Sequence, residues 1–247
     1  MIQIENVGTL GWDAAIRGMR NPMNSWDKSD SYIDSMSSFP YPDDGSIEVE
    51  YPGMNHYYTF RIGKNDQKLM RQLSKAGTAD HRKFMRMIVV YMDITAPLLW
   101  WKEFSTYKVG TVENSCSTMH KIHSKEFTLE DFSCEHLING NEETIPCASV
   151  IDTTVNYKRM MERTVAALNN ARKWYLKTKD KKYWWQLIQL LPSSYNQKRT
   201  VMLNYEVLRN MYTSRKNHKL DEWRNLCEFM KTLPMSDLIT GDSSDED

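Results

Sequence analysis

The stretch Leu190–Trp223, LLPSSYNQKRTVMLNYEVLRNMYTSRKNHKLDEW, constrains this chain more than any other part of it. Pro192 ends one apolar run, because proline cannot continue a helix. A second run follows and reads as a helix carrying Val201, Leu208 and Met211 on one stripe. Asn204 and Arg215 interrupt that stripe: at about 100° per residue they fall within roughly 20° of each other around the axis. A carboxamide and a guanidinium facing a core cost stability unless a carboxylate, a phosphate or a heterocycle edge meets them. The alternative is an arginine snorkelling at a helix end beside an asparagine bonded to backbone.

At 247 residues the chain can bury one substantial core, with an insertion, or two small domains. Its formal net charge is zero, so there is no global electrostatic case for nucleic acid or an anionic membrane as partner. Acidic residues cluster at the very end (Asp242, Asp245, Glu246, Asp247), which leaves the body mildly basic. No run is apolar enough to span a bilayer and the opening MIQIENVGTLGWD lacks a signal-peptide pattern, so a cytoplasmic protein is expected. Cys116, Cys134, Cys147 and Cys227 show no CxxC or His-paired spacing, which fits reduced thiols and no zinc site. His120, His123 and His136 share no helical face, and no metal is expected there. The 8 Trp and 16 Met suit an ordinary Met-rich core, and equally one that accommodates flat heterocycles.

Along the chain, an apolar opening leads to a helix around Trp12–Met19. Residues 35–58 are rich in Pro, Gly, Ser and Tyr without helical period and read as a long loop or a small β-excursion. Asn65–Ala76 reads as a helix capped by Asn65 or Asp66 and stopped by Gly77. Phe84–Ile94 reads as a strand. Thr95-Ala96-Pro97 then opens a helix over Leu98–Tyr107 with Trp100, Trp101 and Phe104 on its apolar side. Val109–His123 and 133–150 lack a period, and Thr153–Lys177 is a long amphipathic helix followed by Tyr183–Leu191. The expectation is an α+β, helix-rich fold with a central mixed sheet. One domain spans 1–235 with an insertion at about 35–60, and a disordered acidic tail occupies 236–247.

Ala96–Lys121, APLLWWKEFSTYKVGTVENSCSTMHK, joins an aromatic helix to a loop dense in Thr, Asn, Ser and Cys. Such a loop offers many short donors with little bulk, as a nucleotide's phosphate and base edge require, although most loops of this composition are only turns. The chain contains no Ser-His-Asp or Cys-His constellation, and Cys116 reads as inert unless Lys108 or Lys121 lies beside it.

Together these segments resemble the flavin-dependent thymidylate synthases over roughly residues 10–30 and 64–232. Ala96-Pro97 matches the family's helix start. Lys102-Glu103 stands where that family has Arg-Gln, and Thr106-Tyr107-Lys108 stands where it has Arg-His-Arg. Thr111, Glu113 and Asn114 fall on its loop Ser and Asn-Glu positions. Cys116 and Thr118 fall on the Ser and Arg of the next element, with Ser115 or Ser117 one residue away. Leu191-Pro192, Tyr195-Asn196, Asn204, Asn210, Ser214-Arg215, His218 and Asp221-Glu222 follow the family's C-terminal order, and Gly77 and His81 lie near its Gly-His element.

The resemblance implies a flavoprotein methyltransferase of nucleotide biosynthesis that moves a one-carbon unit to C5 of dUMP. FAD is its cofactor, NADPH and methylenetetrahydrofolate are its co-substrates, and no protein nucleophile is involved. It implies a homotetramer with shared sites, where Arg215 acts across an interface. Substrate contacts are then expected at Glu103, Asn114, Ser115, Cys116, Ser117 and Arg215, and cofactor contacts at His81, Tyr107, Lys108, Asn204 and Asn210. Tyr107 could stack on the flavin ring, and Arg215 could clamp a phosphate or pyrimidine. Two alternatives stay open. One is a same-fold enzyme acting on another pyrimidine nucleotide such as dCMP, whose exocyclic amine an acceptor-only Glu103 could read. The other is a non-catalytic nucleotide-binding or structural relative.

Overall fold

The computed structural model describes residues 2–35, 43–50, 58–76, 78–139, 145–146 and 154–241. The Gly77 helix stop, Cys147 and the acidic residues at 242–247 lie outside the described residues. The strands are β1 (Gln3–Leu10), β2 (Tyr32–Ser35), β3 (Ile47–Glu50), β4 (Tyr58–Ile62), β5 (Val89–Pro97), β6 (Val112–Ser115), β7 (Ile145–Pro146), β8 (Thr154–Val155) and β9 (Asn196–Asn204). The α-helices are α1 (Trp12–Arg20), α2 (Lys64–Lys75), α3 (Leu98–Phe104), α4 (Thr118–Lys121), α5 (Tyr157–Thr178), α6 (Lys181–Leu190), α7 (Tyr205–Arg215), α8 (Asp221–Met230) and α9 (Asp237–Thr240). The chain divides into two compact units. The larger comprises Ile2–Ile94, Thr106–Asn114 and Thr200–Asp247; the smaller comprises Thr95–Ser105 and Ser115–Arg199.

In the larger unit, β1 and the unit's portions of β5, β9 and β6 lie in one sheet of that order, and β2-β4-β3 form a second, antiparallel sheet. The second sheet settles the 35–58 reading as a β-excursion as far as the described residues go. Arg61 on β4 bonds Asp34 on β2 at 2.8 Å and Glu48 on β3 at 2.9 Å, tying all three strands. Helix α1 buries Trp12, Ala15, Ile16 and Met19, the i, i+3, i+4, i+7 stripe of an amphipathic helix. Its start turns on Gly11 at φ +89°, where a Cβ would lie 2.2 Å from the Met87 carbonyl oxygen. Trp12 meets Tyr205 edge to face at 5.1 Å, and the Tyr205 hydroxyl donates to the Pro234 carbonyl at 2.6 Å.

A buried ion pair holds α1 to α2. Arg20 Nε donates to Asp66 at 2.6 Å, while the hydroxyls of Ser29 and Ser31 both donate to the other Asp66 oxygen, also at 2.6 Å. Asp66 is therefore a fully engaged core carboxylate rather than a helix cap. The cap comes instead from Asp30, whose carboxylate accepts the Asn65 and Asp66 backbone N–H groups. The tail also differs from expectation. Asp237–Thr240 is a helix with Leu238 and Ile239 fully buried, because those two apolar residues face a core that a purely charge-based reading overlooks. Asp237 pairs with Arg71 at 2.7 Å.

In the smaller unit, α5 and α6 form a hairpin closed over Leu168, Leu187, Ile122, Phe127 and Phe132. Asn169 brackets Phe127: its Oδ1 accepts the Phe127 N–H at 2.9 Å and its Nδ2 donates to the Phe127 carbonyl at 2.8 Å. Trp100, Trp101 and Phe104 of α3 are buried as the apolar spacing requires, and the Trp101 indole donates to the Gln197 carbonyl at 2.9 Å. Strand β5 starts only at Val89, after a 3-10 turn at Lys83–Arg86, and runs on through Pro97. Among the described residues, no helix is long and apolar enough to cross a membrane.

Candidate functional site

The single helical run read after Pro192, with Val201, Asn204, Leu208, Met211 and Arg215 on one stripe, is two elements. Residues 196–204 form β9, with Val201 and Leu203 buried on alternate positions, and the helix starts only at Tyr205. Thr200 and Val201 are β-branched and favour the strand, and Asn204 is a strong N-cap type. Asn204 Oδ1 accepts the Val207 N–H at 3.1 Å, so its carboxamide starts α7 instead of sitting on a helical stripe. Its Nδ2 faces Gly110: a Cβ there would come within 2.7 Å, and Gly110 holds φ +78°. The loop 106–114 thus lies against the strand-to-helix junction.

At the other end of α7, Arg215 turns back onto the same loop. Its Nε donates to the Tyr107 hydroxyl at 3.0 Å. The guanidinium carbon stands 4.7 Å above the buried Trp223 ring and 5.7 Å from the Tyr107 ring. Tyr107 and Trp223 meet at 5.9 Å and 62°, and His218 meets Trp223 at 6.3 Å. The arrangement is a cationic corner walled by aromatics, where a phenol oxygen and two ring faces meet the guanidinium. Lys108 is exposed beside it in sequence, and Thr111 Oγ1 is buried without a hydrogen-bond partner among the described residues.

Asn114 lies exposed on β6 and Asn210 exposed on α7. His81 stands apart from the corner as part of a cleft of about 500 Å³ lined by Gly18, Met19, Pro22, Met23 and Phe84. Its Nδ1 lies 2.6 Å from the Thr78 hydroxyl.

The smaller unit carries the other sequence candidates. Glu103 is half-buried near the end of α3 and is engaged in an interaction of its own. Ser115 ends β6 and Cys116 is an exposed free thiol. The Ser117 hydroxyl accepts the His120 N–H at 3.2 Å, which commits it to a short helical turn. Cys116 backbone is fixed on both sides: its N–H donates to the Lys198 carbonyl at 3.2 Å, and its carbonyl accepts from Gln197 Nε2 at 2.7 Å.

Sequence reasoning missed Gln197 and Arg199. Buried Gln197 accepts from Arg199 Nε at 3.0 Å, and the Arg199 guanidinium lies 4.4 Å over Trp101. They lie in an unbroken polar run, Asn196-Gln197-Lys198-Arg199, that was absorbed into a helix reading, which hid that positions two apart share a face. Trp223 was likewise read only as the end of the informative stretch. Among the described residues, no group of three or more His, Cys, Asp or Glu could hold a metal ion.

The sequence matches no protein-family model and no curated protein. Its fold, in contrast, is similar to solved structures along nearly its whole length. Thymidylate synthase X (ThyX) from Helicobacter pylori, solved with FAD and dUMP, is 16% identical with a TM-score of 0.61, covering 97% of each chain. A second structure of the Helicobacter pylori flavin-dependent thymidylate synthase with FAD and dUMP is 17% identical with a TM-score of 0.57, covering 96% of this chain and 97% of that one. The UMP/dUMP methylase PolB from Streptomyces cacaoi, bound with 5-Br dUMP, is 13% identical with a TM-score of 0.52 and coverages of 94% and 88%. At these identities the likeness is one of architecture, and it agrees with the helix-rich α+β class and with the resemblance carried by the sequence motifs. The chain has the fold of the flavin-dependent thymidylate synthases.

Proposed function

We propose that this protein binds FAD and a pyrimidine deoxynucleotide and methylates C5 of dUMP. NADPH and methylenetetrahydrofolate serve as co-substrates, and the active form is a homotetramer. The observation that carries the reading is the end-to-end fold likeness to a protein solved with both FAD and dUMP. The likeness to a UMP/dUMP methylase supports methylation of a uridine nucleotide and makes the ribonucleotide UMP an alternative substrate.

The residues present fit the anionic portions of such ligands better than the flavin ring. Arg215 and exposed Lys108 are cations on or beside one loop, suited to phosphate oxygens, although Lys108 lacks the bidentate fork of an arginine. Tyr107 does not suit flat stacking, because its ring is edge-on to Trp223 and its hydroxyl is taken by Arg215. Its role in this reading is to position Arg215. The Thr111 hydroxyl is a buried polar atom that a ligand drawn against the loop would satisfy.

Bound FAD would supply the redox and one-carbon chemistry; the protein orients the nucleotide and excludes water. Asn204 keeps α7 in place by its cap, Gly110 lets the loop pass beside it, and Arg215 at the far end of α7 meets an anionic group. Exposed Asn210 is assigned to the cofactor, Asn114, Ser115, Cys116 and Ser117 to the substrate. His81 is assigned to the cofactor, at its own cleft.

Absorbance and thermal melts test the cofactor. A protein saturated with FAD and freed of excess should retain flavin absorbance. Linkage at one hundred times Kd adds about 2.7 kcal/mol, which raises Tm by roughly 5–10 °C in a chain of this size. Colourless protein with an unmoved melt overturns the reading.

A further inference from the structure

The α5–α6 turn has a charge unlike that of the whole chain. Arg172, Lys173, Lys177, Lys179, Lys181 and Lys182 stand there with a single carboxylate, Asp180, although the full sequence is neutral. Asp180 is already occupied: it caps α6 through the Lys182 N–H at 3.0 Å and pairs with the Lys182 ammonium at 3.2 Å. Aromatic residues share the turn, and two of them, Trp174 and Trp185, are each 42% exposed. With half-buried Tyr175, Tyr183 and Trp184 they make a patch of rings, and it is such a patch, not a single exposed indole, that marks an interaction surface.

Cations and rings alternate in space as well as in sequence. Lys177 Nζ lies 5.2 Å from the Trp174 ring, Lys179 Nζ 5.9 Å from Tyr175, and Lys181 Nζ 5.6 Å from Trp185 and 6.0 Å from Trp184. Beside them lies an open cleft of about 470 Å³ bounded by Met119, His120, His123, Tyr175, Lys179 and Trp184. The Trp184 indole donates to the Met119 carbonyl at 3.1 Å, which fixes that rim. His123 meets Tyr175 edge to face at 4.9 Å, and its Nδ1 is buried with no hydrogen-bond partner among the described residues.

We infer that this turn binds single-stranded nucleic acid. Bases stack on the exposed indoles of Trp185 and of Trp174, which itself stacks on Tyr183 at 5.9 Å, and the ammonium groups now resting on those rings move to the phosphates. Every base has a π-face and every nucleotide a phosphate, so a ligand that repeats both matches a surface that repeats both. The ring–cation pairs outnumber what one mononucleotide can engage. A peptide carboxylate would use the lysines and leave the rings uncovered. All the residues concerned lie in the smaller unit, and none belongs to the corner built by Tyr107, Arg215 and Trp223, so the inference stands apart from the proposed nucleotide methylation.

Fluorescence anisotropy of a labelled oligothymidylate of about 15 nucleotides, with the full-length protein, tests it. If three phosphates are neutralised, affinity falls about 20-fold between roughly 50 and 200 mM salt, at about −0.7 per phosphate in log–log slope. Replacing three of the exposed lysines, Lys177→Gln, Lys179→Gln and Lys181→Gln, should flatten that slope by about two and leave circular dichroism unchanged. Trp185→Ala should weaken binding about 10-fold. A duplex of equal length should bind more weakly, and dUMP affinity by calorimetry should be the same in all variants. No anisotropy change, equal binding of duplex, indifference to the lysine and tryptophan substitutions, or tighter capture by phosphatidylglycerol vesicles than by the oligonucleotide overturns the inference.

Discussion

Replacing Arg215 by alanine removes, among its contacts, the bond to the Tyr107 hydroxyl and the cover over two aromatic rings. A hydrogen bond from a charged donor contributes about 1.5–3 kcal/mol when made well, though this acceptor is a neutral phenol, so the lower end applies. The contact with Trp223 adds about 0.5–1 kcal/mol at a half-buried site. The sum is about 2–3 kcal/mol, or roughly 5–10 °C in Tm for a chain of this size. Arg215 is therefore a structural residue as well as a candidate ligand contact, and its removal is not neutral for folding as a plain helix-end arginine's would be. Tyr107→Phe keeps the ring and loses only the acceptor, at about 1 kcal/mol. Denaturant melts of both single variants and the double variant give their coupling, expected at about 1 kcal/mol. Calorimetry on the same proteins should show dUMP affinity lowered about 10- to 100-fold by Arg215→Ala, and by less in Tyr107→Phe. A coupling near zero, with Arg215→Ala shifting stability by less than about 0.5 kcal/mol, refutes the cage; unchanged dUMP affinity refutes the clamp.

Four further outcomes follow from the geometry. Asp66→Asn leaves Arg20 buried without its counter-charge and should cost about 3–5 kcal/mol in chemical denaturation; a loss under about 1 kcal/mol contradicts the buried pair. Asn204→Ala should cost about 1 kcal/mol by removing the α7 cap, and Asn204→Asp should restore most of it. Burial pushes the Cys227 thiol up to about 11, so it stays protonated at neutral pH. A thiol reagent added to the folded protein should therefore label exposed Cys116 well before Cys227, and reversed order in peptide mapping contradicts the packing around α8. Glu103 is already engaged within the protein, so dUMP should compete at least as well as dCMP and Glu103→Gln should leave that order unchanged; a dCMP preference abolished by the substitution would restore the base-reading role.

Much of the architecture was legible because local pattern and tertiary outcome agree. The α1 stripe from Trp12 to Met19, the α3 aromatics and the long α5 all follow from helical spacing, and Pro192 does end a helix. The resemblance of Ala96-Pro97 and of the Leu191–Arg215 order to a known family pointed to the fold that the chain adopts. What failed was local punctuation. Asn204 looked like a polar intruder on a helical stripe because Val201, buried from a strand, and Leu208, buried from a helix, happen to lie seven residues apart, which is the spacing of one helical face. The cap of α2 escaped notice since it comes from Asp30, far away in sequence. No spacing rule could have paired Tyr107 with Arg215, because that contact spans 108 residues and depends on the turn at Gly110. Gln197 and Arg199 were missed for a related reason: their importance lies in what they bond, and the sequence shows only that they are polar.

The most direct test of the central claim is the fate of dUMP. Purified protein is incubated with FAD, NADPH, methylenetetrahydrofolate and dUMP, and the nucleotide is analysed by mass spectrometry. The account predicts dTMP that appears only with all four components and falls at least about 10-fold in the Arg215→Ala protein, the rate equivalent of losing one charged hydrogen bond. Flavin-bound, nucleotide-bound protein that returns dUMP unaltered under every order of addition would contradict it.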